Sequence, residues 1–360
     1  MLRELTIQNY RCFKDFYIDG LARVNLIVGM NNSGKTSLLE AVYLLVDQAN
    51  PQCLLEILHD RGEIAPLGGD RRAIAPSYQL SHIFHGHQLD LDQIIYIKSY
   101  KDQPLSLKIQ LCRVIQQSQF FEDTGEINVP AFELVLTYEP DLQIKAPILQ
   151  DGSVQRRFFR TENSSQPYFT SSAQQCHFLT TEHVGFDQLA TLWDRITLTP
   201  KEESLVKALQ ILEPDVERMS FTSNQTHNSG ILLKLRGHHR PIPLGSMGDG
   251  MRRILNLGMV AVTAENSVLL VDEIETGLYY ESQTDMWRLV LEVAQQLNVQ
   301  VFATTHSWDC ISAFHEALDQ LEDSSVGKLF RLSRKGDNIH AVDYPAEKLG
   351  VAVRQNIEVR

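Results

Sequence analysis

Leu2 to Gln8 alternates apolar and polar positions, with Leu5 and Ile7 set against Thr6 and Gln8, which predicts a half-buried strand. A second short run, Phe13 to Ile18, follows the turn-like Asn9-Tyr10-Arg11. Val24-Asn25-Leu26-Ile27-Val28 stops at Gly29, and apolar residues at helical spacing resume from Leu38 through Val46. A buried strand, a glycine loop and a helix in that order open an α/β unit.

From about Asn50 to Thr199 the pattern loosens. Short β-like runs (Ile94 to Ile97, Phe132 to Tyr138) alternate with Gly, Pro and Ser-rich patches such as Thr161 to Ser172, and no heptad or longer repeat is visible. At Thr199-Pro200-Lys201-Glu202 the signals sharpen into a helix start: a threonine cap, proline at the first helical position and glutamate three residues on. Leu205, Val206, Leu209 and Leu212 then make one apolar stripe.

Beyond Gly230 the α/β rhythm returns. A strand near Ile231 to Leu235 precedes a glycine-rich turn at Gly245 to Gly250 and a helix from about Met251. Ser267 to Val271 is almost wholly apolar, as a strand covered on both faces should be. A helix near Ser282 to Leu297 leads to a second apolar strand, Val299 to Ala303, and then to Thr304-Thr305-His306. Lys328 to Ser333 and Ile339 to Tyr344 flank a Lys-Gly-Asp-Asn turn and predict a hairpin.

The chain has 360 residues, room for about two domains at roughly 150 residues each. Its 43% hydrophobic and 22% charged residues exclude a disordered or fibrous protein. With 33 basic against 45 acidic side chains the net charge is −12, so contact with nucleic acid would need a local basic patch. Five scattered cysteines (Cys12, Cys53, Cys112, Cys176, Cys310) without a C-x-x-C pair fit reduced thiols rather than a disulfide framework or a zinc site. The N-terminus carries no signal-peptide pattern and no run reaches membrane-spanning length, so a soluble cytoplasmic protein is expected.

Gly29-Met30-Asn31-Asn32-Ser33-Gly34-Lys35-Thr36 meets every fixed position of G-x-x-x-x-G-K-[ST]. Its glycines let the backbone wrap with amides inward, to cradle phosphates at a helix N-terminus. Lys35 reaches the β- and γ-phosphates and the Thr36 hydroxyl takes a place on Mg²⁺, with Asn31, Asn32, Ser33 and Ser37 completing the nucleotide-binding loop. Val268 to Val271 then presents Asp272 for the metal and Glu273 to orient or deprotonate the attacking water. Glu275 nearby reads as a surface loop residue. Ser246 and Gly248 stand before a helix N-terminus, where a hydroxyl and free amides suit an anion. His306 ends the next apolar strand, placed to donate to a γ-phosphate. Among lesser signals, Asp90-Leu91-Asp92, the histidines His82, His85 and His87, and the arginines Arg156, Arg157 and Arg160 read as ordinary surface, whereas Arg252 and Arg253 closely follow Ser246 and Gly248 and so have a better claim to a functional site.

With these motifs in this order the chain resembles the ATP-binding-cassette ATPases of the SMC, RecF and overcoming-lysogenization-defect kind, often grouped with AAA-type ATPases. Leu5 to Phe13 is similar to their first strand and arginine turn, which brings Arg11 into the expected nucleotide-binding set. Gly29 to Thr36 resembles their Walker A, Leu270 to Glu273 their Walker B, Ser246 to Arg253 their signature, and Thr304 to Ser307 their histidine switch. The resemblance implies an α/β P-loop fold: an ABC-type head with a mixed sheet, formed by residues 1–49 and 200–360, with an α+β insertion at 50–199. It implies ATP and Mg²⁺ as cofactors and two heads closing around two ATP molecules, each P-loop facing the partner's signature, so that hydrolysis drives a conformational switch. DNA maintenance and phage defence both employ such heads.

Some of that family's features depart here. Asp249 stands where glutamine is commoner, no glutamine loop is located (Gln79 and Gln93 are the candidates), and neither a long coiled coil nor a Toprim nuclease is found. The alternative is a low-turnover, nucleotide-gated interaction module that regulates a separate effector such as a nuclease; DNA remains a candidate partner and a membrane is not expected. A self-contained nuclease is disfavoured, since no second acidic cluster is convincing.

Overall fold

The computed structural model describes residues 1–48, 50–65, 76–91, 93–100, 104–114, 132–138, 142–161, 176–181, 184–222 and 230–360. Strands β1 (Leu5–Tyr10), β2 (Phe13–Ile18) and β3 (Val24–Val28) lead into helix α1 (Lys35–Val46) and then α2 (Gln52–Asp60). Strands β4 (Ser77–Gln79), β5 (Ile94–Tyr100), β6 (Pro104–Arg113), β7 (Phe132–Tyr138), β8 (Leu142–Pro147), β9 (Ser153–Gln155) and β10 (Arg160–Thr161) follow. Next come β11 (Cys176–Leu179), α3 (Phe186–Ile196), α4 (Pro200–Gln210), β12 (Val216–Thr222), β13 (Gly230–Leu235) and β14 (Ile242–Pro243). The chain continues with α5 (Asp249–Thr263), β15 (Val268–Val271), α6 (Tyr280–Gln296), β16 (Gln300–Thr305), α7 (Trp308–Asp319), β17 (Gly327–Lys335), β18 (Asn338–Pro345) and α8 (Ala346–Arg354).

Contacts divide the chain into Met1–Leu21, Thr36–Gln174 and Ser333–Ala341 as one unit, and Ala22–Lys35, Gln175–Leu332 and Val342–Arg360 as the other. This division runs through the glycine loop and not at residues 49 and 199, where the sequence places the edges of the insertion. The Asp92 of the Asp90-Leu91-Asp92 pair, and residues 162–172 of the Ser-rich patch, lie outside the described residues.

In the first unit a seven-stranded antiparallel sheet runs β10-β8-β7-β6-β5-β1-β2. Ile7 stands opposite Ile97, and Leu107 opposite Tyr138, all of them buried. The period-two alternation of β5 and β6 turns one face inward, and each large apolar side chain so buried contributes roughly 2 kcal/mol.

In the second unit the six-stranded sheet runs β11-β15-β16-β3-β17-β18. The first four pairings, β11 to β15, β15 to β16, β16 to β3 and β3 to β17, are all parallel. The apolar runs foreseen at 267–271 and 299–303 are its central strands, and every residue of β3, β15 and β16 is buried. Trp287 of α6 fills the core beside Phe314 of α7, and its indole N–H donates to the Cys310 carbonyl at 3.2 Å. Leu205 and Leu209, the stripe read from the sequence, are fully buried on α4. A Cβ added to Gly258 of α5 would stand 3.0 Å from Leu205 and 3.1 Å from Ala208, so the two helices meet closely there. Thr199 caps α4 through its side-chain oxygen, which accepts from the Lys201 amide, while Glu202 reaches back to the Leu198 amide at 2.7 Å.

Candidate functional site

Register decides where the chemistry collects. In the parallel sheet Thr305 pairs with Val28, and Val271 with Ala303, so β3, β16 and β15 end at neighbouring points. Gly29, His306 and Asp272 are the next residues of these three strands. Ligands of open parallel sheets bind at this carboxyl edge.

The glycine loop leaves β3 with Gly29 at φ +153°, Asn32 at φ +61° and Gly34 at φ +93°. A side chain at Gly29 would lie 2.7 Å from the Leu332 carbonyl oxygen and 2.6 Å from the Ser33 hydroxyl, so only glycine fits. Ser33 is buried and its hydroxyl has no hydrogen-bond partner among the described residues. The Lys35 ammonium donates to the carbonyls of Gly29 at 2.9 Å and Met30 at 3.1 Å. Burial lowers its pKa, and the carboxylates of Asp272, Glu273 and Glu275 oppose that shift. A cation held this way, partly desolvated and hydrogen-bonded only to neutral carbonyls among the described residues, is set for phosphate. Asn31 is exposed, whereas Thr36 is partly and Ser37 wholly buried in the first two turns of α1.

Glu273 adopts φ +46°, a left-handed conformation that a side-chain-bearing residue holds only when its surroundings impose it. Two groups impose it here. The Thr304 hydroxyl accepts from the Glu273 amide at 2.9 Å and donates to the Asp272 carboxylate. The buried Arg253 guanidinium donates to the carbonyls of Asp272 at 2.8 Å, Glu273 at 3.0 Å and Thr180 at 2.8 Å. The turn carries the chain back, so that the Ile274 amide donates to the Thr304 carbonyl. His306 is more than half exposed at 55%, and its Nδ1 lies 3.5 Å from a Glu273 carboxylate oxygen.

Ser246 and Gly248 are both exposed. Gly248, at φ +89°, caps α5 at its N-terminus. That helix begins at Asp249, two residues before the start expected from the sequence.

Three residues of this region differ from what the sequence pattern predicts or go beyond it. Glu275, expected on a surface loop, is 9% exposed, because the turn at Glu273 tucks it inward. Thr304 fixes both Walker B acids, although only its place in the histidine motif was noted. Arg253 spends its donors on backbone carbonyls, and its proximity to the signature was the one signal that singled it out.

Arg11 belongs to a separate cluster in the first unit. Its guanidinium pairs with Glu40 and Glu63, each at 2.7 Å, and Glu40 also takes Arg61 at 2.7 Å and the Tyr10 hydroxyl at 3.1 Å. Burial, and then the Glu40 charge, push the Tyr10 phenol above its usual range. Gln79 and Gln93 each donate to a backbone carbonyl in that unit, of Asp151 and His85 respectively. All five cysteines are free thiols. Among the described residues no three His, Cys, Asp or Glu side chains gather as a metal cluster, and no helix is long and apolar enough to cross a membrane.

Comparison with known proteins gives the family and the fold. The family model for the AAA ATPase domain matches residues 1–65 and 186–311, more than half of the chain. A Helicobacter pylori protein named ATP/GTP phosphatase is 24% identical over 373 residues, covering 97% of each chain. A DNA replication and repair protein RecF from Streptococcus pyogenes is 22% identical over 368 residues, covering 88% of this chain and 95% of its own. Among solved structures, an SMC head bound to the C-winged helix domain of ScpA superposes with a TM-score of 0.51 at 12% identity, over 97% of this chain and 99% of that one. An Smc head with an extended coiled coil, bound to the C-terminal domain of ScpA derived from Pyrococcus furiosus, gives 0.52 at 10% identity over 99% of both. These show the SMC-head fold. The matched segments carry Lys35 on one side and Asp272, Glu273 and His306 on the other, and the chain belongs to the AAA ATPase domain family, as an ATPase with the SMC-head fold.

Proposed function

We propose that the protein is a Mg²⁺-dependent ATP hydrolase whose ATP-bound heads close into a homodimer and reopen after hydrolysis. The observation that carries this reading is the meeting of Lys35, Asp272, Glu273 and His306 at the ends of adjacent parallel strands. Lys35 exchanges the Gly29 and Met30 carbonyls for β- and γ-phosphate oxygens, and the amides of Asn31 to Gly34 take the rest. The oxygen donors Asp272 and Thr36 are the hard ligands that Mg²⁺ prefers. They would hold the ion, which when bound supplies charge neutralisation at the phosphates. Glu273, fixed through its backbone, orients the attacking water, and His306 faces the terminal phosphate. The exposed Ser246 and Gly248 of one protomer complete the pocket of its partner. ATP then acts as the bridge between subunits, and its hydrolysis releases them.

The test is Glu273→Gln. Turnover should fall by about 10²-fold or more, while the variant still binds ATP and accumulates as a dimer in light scattering. Wild-type turnover by this variant, or a monomer with ATP bound, overturns the assignment.

A second reading is the low-turnover module that gates a separate effector. The two SMC heads solved with a ScpA domain support it, since heads of this fold take a protein partner there. ATPase rates measured alone, with DNA and with co-purified proteins separate the two readings; a rate near zero in every condition favours the module. DNA maintenance and phage defence are the processes in which to look for the partner.

A further inference from the structure

Glu275 is the anomaly of the second unit. Both of its carboxylate oxygens are buried, and neither has a hydrogen-bond partner among the described residues. A carboxylate in that position weakens the fold unless something pairs with it. Arg253 feels the Glu275 charge, but its Nη1 and Nη2 serve the carbonyls of Thr180, Asp272 and Glu273, and its buried Nε, like the Glu275 oxygens, has no hydrogen-bond partner among the described residues, so the two are not hydrogen-bonded to each other. Cys310, whose thiol burial and then the Glu275 charge hold well above its usual range, makes no hydrogen bond to either oxygen. What remains is His306. Its Nδ1 lies 3.8 Å from one Glu275 oxygen and 3.5 Å from one Glu273 oxygen, beyond hydrogen-bond length from both.

One imidazole nitrogen thus stands between two carboxylates, and Glu273 has another task. A glutamate that orients water cannot also hold the ring. We propose that Glu275 is the positioning residue of His306: it accepts the Nδ1–H hydrogen bond when Glu273 turns to the attacking water, keeping Nε2 aimed at the terminal phosphate. This rests on the ATPase reading above. No proton changes owner; the Nδ1–H only gains Glu275 as its acceptor. The role resembles that of any buried carboxylate that fixes a catalytic imidazole in one tautomer and orientation. It also accounts for the burial, since an acceptor shielded from water competes better for the ring than an exposed one.

The experiment uses the full chain and three variants, E275M, E275Q and H306Q. E275M removes the acceptor at similar volume and should lower kcat about tenfold or more, with the KM for ATP held within about threefold. Its Tm should equal or exceed that of the wild type, since a buried unpaired charge is gone. E275Q, which keeps a neutral acceptor, should recover part of the rate. In the H306Q background E275M should add no further loss. The Nδ1–H proton resonance of His306, assigned by its disappearance in H306Q, should move upfield in E275Q, because a charged acceptor gives the stronger hydrogen bond.

Full turnover by E275M, losses that multiply with H306Q, or an Nδ1–H resonance unmoved in E275Q would each overturn the assignment. The resonance decides the matter even where E275M does not fold. A wild-type chain that fails to hydrolyse ATP overturns the ATPase reading instead, and the resonance still reports on the contact.

Discussion

Two glutamates are buried in this chain under opposite circumstances. Glu40, on α1 in the first unit, is 3% exposed and both oxygens are engaged, by Arg11, Arg61 and the Tyr10 hydroxyl. Glu275, in the turn after β15 in the second, is 9% exposed and neither oxygen has a hydrogen-bond partner among the described residues. Burial alone therefore does not distinguish a residue that holds the fold from one that serves the site. Satisfaction does. A carboxylate saturated by its own unit has nothing left to offer a ligand, whereas one left unmet marks a place where stability was given up.

The sharpest way to break this contrast is to make the same substitution at both positions. Glu40→Met strands Arg11 and Arg61 and should cost about 3–5 kcal/mol of unfolding free energy, measured by urea denaturation. The matching change at Glu275 should cost nothing or stabilise, and a similar loss at both sites would end the comparison. Arg253→Met removes the donors of three carbonyls and should cost about 2–3 kcal/mol, since buried acceptors are then orphaned. A smaller effect of opposite sign should come from Glu273→Gly. Glycine accepts the positive φ freely, so unfolding should become harder by up to about 1 kcal/mol while ATP turnover is lost.

Much of the second unit could be read from the residues alone. Four fixed positions define the glycine loop, three apolar runs are too short for helices, and Thr199-Pro200 announces its own helix. These signals are local, and local signals survive without tertiary context. The seven-stranded sheet could not be read in the same way. β1 pairs with β5, so Ile7 meets Ile97 across a long stretch of chain, and nothing in either strand's sequence names the other. Arg11 was placed with the nucleotide on family resemblance, yet Glu40 and Glu63 occupy its guanidinium. Glu275 was misjudged for a related reason. An acid after a strand ordinarily meets water, and only the left-handed turn at its neighbour-but-one folds it inward.

Thr304 deserves a last remark for what its one hydroxyl joins. It accepts from the amide of Glu273 and donates to Asp272, while His306 follows two residues further on, just past the end of the strand. On the proposed ATPase reading, the aspartate offered to the cation and the glutamate offered to the water hang on one oxygen atom, so a displacement of either would be felt by the other.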